Sequence, residues 1–102
     1  MKRALLGVVI AAVAAAPAAS AAPAITKKQA IAIVRGILNK RAAGCQITSI
    51  ISITATSAGL DRWHVTATIR DHGYRDKVRW TIVNRKAVPN DQLAAEIAAG
   101  CP

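Results

Sequence analysis

The sequence has no phenylalanine, one tyrosine, two tryptophans and only five acidic residues in 102. So few aromatics leave no series of rings on which unstacked nucleic-acid bases could sit. The five acids, Asp61, Asp71, Asp76, Asp91 and Glu96, fall beside strand ends or in the last helix. There they read as turn formers and helix-end charges, not as the paired acid and base that a hydrolytic cleft requires. There are only two cysteines, and no C-x-x-C spacing to tune a redox thiol. Also absent are a Gly-rich phosphate loop, a Gly-x-Ser-x-Gly elbow and a Cys–His pair. These absences argue against an enzyme. A length of 102 residues allows one small domain.

What the chain does have is a leader. Lys2 and Arg3 give a positive start, Ala4 to Ala16 is apolar except for Gly7, and Ala19-Ser20-Ala21 supplies a small-x-small cleavage pattern. Residues 1–21 are therefore expected to be a secretion signal, and residues 22–102 one small exported domain, periplasmic or secreted. The apolar run falls short of the ~20 residues that span a bilayer, and no later run is long enough to replace it. No transmembrane span is expected after cleavage. The whole chain carries 14 Lys and Arg, for a formal net charge of +9. Cys45 and Cys101 both follow Ala-Ala-Gly. An even count in an exported chain reads as a structural disulfide, here joining two helix ends, with each Gly as the left-handed residue that stops its helix.

Residues 26–43 read as a helix. Thr26 and Gln29 form a capping box, Ile25 and Ala30 are placed for a hydrophobic staple, and Ala30, Val34, Ile37, Leu38 and Arg41 recur along one stripe. Three strands follow, at about Ile47–Thr56, Arg62–Arg70 and Lys77–Val83. Strict alternation puts Trp63, Val65, Ala67, Ile69, Val78, Trp80 and Ile82 inward. Pairing Asp71 with Asp76 across an Asp71-His72-Gly73-Tyr74-Arg75 turn would match inward with inward residues: Ile69 with Val78, Ala67 with Trp80, Val65 with Ile82. By the same logic a loop at Ala58-Gly59-Leu60 sets Ala55 opposite Trp63. A short helix capped by Asn90 closes the chain, with Leu93, Ala94 and Ile97 as its apolar side. The expected fold class is α+β: a helix on a three-stranded antiparallel β-meander, order α-β-β-β-α, with one disulfide.

The opening Ile25-Thr26-Lys27-Lys28-Gln29-Ala30-Ile31, followed by a hairpin with an Asp-x-Gly-Tyr turn, resembles the PepSY family of small exported α+β domains, which are similar in outline to cystatins. The resemblance covers about residues 25–86. It implies a non-catalytic module that binds or inhibits another exported protein. The chain departs from the family in its basic charge, its cysteine pair, its last helix, and an Asn84-Arg85-Lys86 segment without glycine. No site residue is carried over from the family, because no binding motif matches residue by residue.

The candidate partner-binding residues are Arg62, His64, Arg70, Tyr74, Arg75, Lys77 and Arg79. The expected register sets Arg70 beside Lys77 and Thr68 beside Arg79. Like charges held opposite each other cost stability, which favours an acidic partner meeting that face. A merely solvated sheet face is the alternative. Tyr74 either anchors a partner from the hairpin tip or lies over the hairpin. His64 and His72 lack converging metal ligands in this register, and no metal or cofactor is expected. Proximity of either histidine to two acids in the fold would reopen the enzyme reading. Two partner classes remain: an acidic protein surface, or an anionic envelope polymer or lipid surface bound through net charge. Nucleic acid is disfavoured by the leader and the missing aromatics.

Overall fold

The structure, a computed structural model, describes residues 24–101. The leader expected at residues 1–21 lies outside the described residues. Helix α1 spans Lys27–Cys45, strands β1 to β4 span Ile47–Gly59, Arg62–Asp71, Tyr74–Val83 and Lys86–Pro89, and helix α2 spans Gln92–Ala99. The fold is α+β. Its sheet is antiparallel with four strands in the order β1-β2-β3-β4, so the expected three-stranded meander gains a strand.

Helix α1 starts as its sequence dictates. The Thr26 hydroxyl accepts from the Gln29 N–H at 3.1 Å, and the Gln29 side chain accepts from the Thr26 N–H at 2.8 Å. Two of the orphan donors at the helix start are thereby satisfied. Its end is a correction. The helix runs through Gly44 and Cys45, and Gln46 takes the left-handed cap with φ 56°. Gly44 serves packing instead: a Cβ there would lie 3.1 Å from the Gly100 carbonyl oxygen. Gly100 does take the left-handed cap of α2, at φ 102°. Asp91, not Asn90, is the N-cap of α2, its carboxylate accepting from the Ala94 N–H at 2.8 Å. Asn90 instead donates from its backbone to the Arg79 carbonyl at 2.9 Å and from its side chain to the Thr81 hydroxyl.

The hairpins slip by two residues from the expected pairing. Asp71 pairs with Tyr74, Ala67 with Val78 and Val65 with Trp80, leaving a two-residue turn at His72 and Gly73. Both turn residues have positive φ, 50° and 82°, the tight geometry whose twist matches the flanking strands. A slip of two leaves the faces unchanged, which is why the inward set was right while the partners were not. The same applies to β1, where Ala55 meets Val65 and Ile53 meets Ala67. Irregularities at Thr48 and Ile51 restore the inward phase, so Ile50, opposite Ile69, packs against the core and Ile51 turns outward, 41% exposed. Strand β4 follows a second two-residue turn at Asn84 and Arg85, with φ 50° and 68°. No glycine announces that turn.

The core is one cluster. Ala30, Val34 and Leu38 of α1 and Ala94 and Ile97 of α2 bury against Val65, Ala67, Ile69, Val78, Trp80 and Ile82. Trp80 is fully enclosed and is the largest buried side chain. Half-buried Trp63 donates from its indole to the Ile25 carbonyl at 3.2 Å, and Asp61 accepts from the Ile25 N–H at 3.2 Å. These two bonds pin the entry to α1 against the start of β2. The expected disulfide is formed: Cys45 and Cys101 join the two helix ends, with α carbons 5.2 Å apart. Arg41 adds a hydrogen bond to the Ala98 carbonyl at 3.3 Å. Both helices therefore lie on one side, α1 over β1 and β2, α2 against β3 and β4. No helix among the described residues is long and apolar enough to cross a membrane.

Candidate functional site: the outer sheet face

Alternation assigns the other face of the sheet to Ser52, Thr54 and Thr56 of β1, Arg62, His64, Thr66, Thr68 and Arg70 of β2, Arg75, Lys77, Arg79 and Thr81 of β3, and Val88 of β4. Because the helices pack on the opposite face, neither covers it, although Thr68 and Thr81 are buried there and the Asn90 side chain reaches over to the Thr81 hydroxyl.

The register rearranges the expected charges. Arg70 faces Arg75, Thr68 faces Lys77, Thr66 faces Arg79 and His64 faces Thr81. The like-charged pair is thus Arg70–Arg75 and not Arg70–Lys77. Arg70 eases it by donating to the Gly73 carbonyl at 3.5 Å, folding its guanidinium back over the turn. Arg75, Lys77 and Arg79 are all exposed, at every second residue of β3. They form a column with steps of ~7 Å.

The candidate residues do not all gather. Arg62 lies at the far end of β2, ~27 Å along the strand from Arg70, and neighbours the β3–β4 turn through Val83 and Lys86. His64 is tied to the Thr81 hydroxyl at 3.2 Å, which also accepts from Asn90. Tyr74, 73% exposed, belongs by alternation to the helix side, beside the turn that closes the hairpin, and not to the basic face. Neither Tyr74 nor Arg75 is in the turn; both are strand residues. The patch that assembles is Arg70, Arg75, Lys77 and Arg79, with Thr66 and Thr68 beside it.

The electrostatics of this patch follow from where the acids are. Asp61 caps the α1 entry, and Asp91 caps α2 while meeting Arg79 at 3.6 Å. Glu96 accepts from Gln92, and Asp71 and Asp76 lie diagonal to each other on the helix side of the hairpin. Arg75 and Lys77 make no ion pair with a described residue. Positive charge on the outer face is therefore largely uncompensated from within the fold.

Sequence reasoning missed a second cluster on the helix side. Asp71 and Asp76 are diagonal neighbours across the hairpin, and His72 Nδ1 lies 3.4 Å from the Asp71 carboxylate. His72 thus contacts one acid, Asp71, while the second, Asp76, lies diagonal to Asp71 across the hairpin. The hydrogen bond to Asp71 raises the Asp76 pKa above the ordinary aspartate value, helped by desolvation and by the Asp71 charge. Asp71 Oδ1 is buried and has no hydrogen-bond partner among the described residues. The cluster opens on a cavity of about 240 Å³ lined by Gly44, Cys45, Gln46, Ile47, Leu93, Glu96, Ile97 and Cys101 as well as Asp71 and His72. Those walls supply no hydroxyl, and both of their sulfurs are in the disulfide. The signal for this cluster was present in the Asp-His-Gly turn, but it becomes visible only when Asp71 closes a two-residue turn.

No family model, curated protein or solved structure matches the chain.

Proposed function

We propose that the chain is an exported, non-catalytic binding module that engages an acidic protein surface through Arg70, Arg75, Lys77 and Arg79. One observation carries this reading: a sheet face that neither helix covers holds Arg70, Arg75 and Lys77 without an ion pair to any described residue, and only Arg79 beside them meets an acid, Asp91. Keeping Arg70 opposite Arg75 costs folding stability, and an anionic partner would offset that cost on binding. The leader and the disulfide are consistent with an oxidising compartment, periplasmic or secreted. The resemblance to PepSY modules points the same way.

The test is capture from the exported fraction on two baits, the native protein and Arg70→Glu/Arg75→Glu/Lys77→Glu. One protein held stoichiometrically by the native bait, and absent from the variant, is the expected result. Charge alone also supports a second reading, binding to an anionic envelope polymer or lipid surface. Under that reading both baits release their cargo at moderate salt, as screening predicts. Retrieval of no stoichiometric protein and no anionic material refutes both.

A further inference from the structure

The two edges of the sheet are protected very unequally. Strand β4 is four residues long, begins with Lys86 and ends in Pro89, and its chain continues directly into α2. Short length, lysine and proline are the usual means of blunting an edge against pairing. Strand β1 is 13 residues long and pairs on one side only, with β2. In a chain with 14 basic and 5 acidic residues, none lies between Ile47 and Gly59, and no proline does either. Its only blunting devices are the irregularities near Thr48, Ile51 and Ala58, which leave Ser52–Ser57 in unbroken register. Along that stretch alternate residues direct their N–H and C=O groups away from β2. No described residue pairs with them.

We infer that β1 pairs with β1 of a second copy of this chain, antiparallel across a two-fold axis at Thr54, to give a continuous eight-stranded sheet. The segment is complementary to itself in that register. Ser52 meets Thr56 of the other copy and Thr54 meets Thr54 on the outer face, while Ile53 meets Ala55 on the helix side. The pairing sets large against small, hydroxyl against hydroxyl, and outward against outward throughout. An isologous contact of this kind closes on itself and leaves no further β1 edge open for growth.

Charge decides between a second copy and an acidic protein. The cationic column that would recognise an acidic partner is on β3, two strands from the edge. The edge itself has nothing to attract an anion. Two copies joined through β1 keep their β3 columns five strand spacings apart, ~24 Å. That exceeds two Debye lengths at physiological salt, so repulsion between two basic molecules is largely screened. The pair would carry a central floor of Ser and Thr hydroxyls from β1-β1 with Thr66 and Thr68 of each β2 beside it, bordered on each side by Arg75, Lys77 and Arg79.

Sedimentation equilibrium of the purified, oxidised protein, from micromolar to near-millimolar concentration, tests the inference. The native protein and Lys77→Glu are expected to form a dimer. Thr54→Lys places two ammonium groups face to face on the axis, and is expected to weaken the dimer by ~10-fold or more. The Thr54 side chain is exposed, so the monomer fold should tolerate the change. An independent arm is Thr54→Cys, expected to give a covalent dimer on mild oxidation, whereas Thr48→Cys at the irregular end does not. A native protein monomeric at every concentration, a dimer that survives Thr54→Lys, or one lost in Lys77→Glu overturns the inference.

Discussion

Two side chains show how single residues set the energetics of this fold. Trp80 is fully enclosed, yet its indole N–H has no acceptor among the described residues. Its burial of ring area outweighs an orphan donor, which costs about 1–3 kcal/mol. Trp80→Ala should therefore destabilise by about 3–5 kcal/mol in urea unfolding. Trp80→Phe should lose less than about 1.5 kcal/mol, since the missing volume is partly offset by removing that orphan. Asp76 is the second case. Its carboxyl keeps its proton to a higher pH in the native chain than in the unfolded chain, chiefly because it donates to Asp71. Native protein then binds more protons across the window just above the ordinary aspartate value. The contribution to stability is complete below that window and is lost as pH rises through it. Asp76→Asn keeps a donor toward Asp71 at every pH and removes the charge. Its urea midpoint should exceed that of the native protein at pH 7 and converge on it near pH ~4. Parallel midpoints over the whole range would dismiss the raised pKa of Asp76.

At the level of elements, the sequence was legible wherever periodicity does the specifying. The Thr26–Gln29 cap, the Ala30–Val34–Leu38 stripe and the inward set of β2 and β3 follow from 3.6- and 2-residue repeats. Pairing partners were not legible, because a slip of two conserves every face and only turn length resolves it. Strand β4 was hidden for a related reason. Its turn uses Asn84 and Arg85 in left-handed geometry, where glycine is the usual signal, and Arg seldom adopts that conformation. Of the candidate site, the cations of β3 were legible by alternation. The partners of Arg70 and Arg79 were not, since Arg75 and Asp91 approach them only once turn and helix are placed. The repeated Ala-Ala-Gly-Cys phrase hid two different roles, a close approach at Gly44 and a left-handed cap at Gly100. The disulfide between them holds an eight-residue helix that would be marginal alone. It spans 56 residues, and closing a loop of that size is worth roughly 4 kcal/mol through the unfolded chain. Cys45→Ser/Cys101→Ser should lose about that much in urea unfolding. Amides of α2 should exchange first, and equal acceleration across β2 and β3 would show that the staple does not act locally.

For the whole molecule the governing quantity is a formal net charge of +9 with one face of the sheet uncovered. Self-repulsion in such a chain opposes compactness, so any bound anion adds its binding free energy to folding. Polyglutamate is a suitable probe because it presents carboxylates in series, as an acidic protein surface does. A ligand present at a hundred times its dissociation constant adds about 2.7 kcal/mol, and each kcal/mol moves the Tm of a domain this small by roughly 4–8 °C. A rise of that order in polyglutamate is expected for the native protein, and it should shrink as salt is added. Sulfate at matched ionic strength supplies the control, since exclusion from the protein surface stabilises any fold and ignores where the cations are. In Arg70→Glu/Arg75→Glu/Lys77→Glu the polyglutamate rise should vanish while the sulfate rise remains. If both rises persist, the charge acts diffusely over the molecule and the β3 column has no special part in recognition. If only the polyglutamate rise disappears, three side chains on two adjacent strands, Arg70 of β2 with Arg75 and Lys77 of β3, account for how this basic molecule meets an acidic surface.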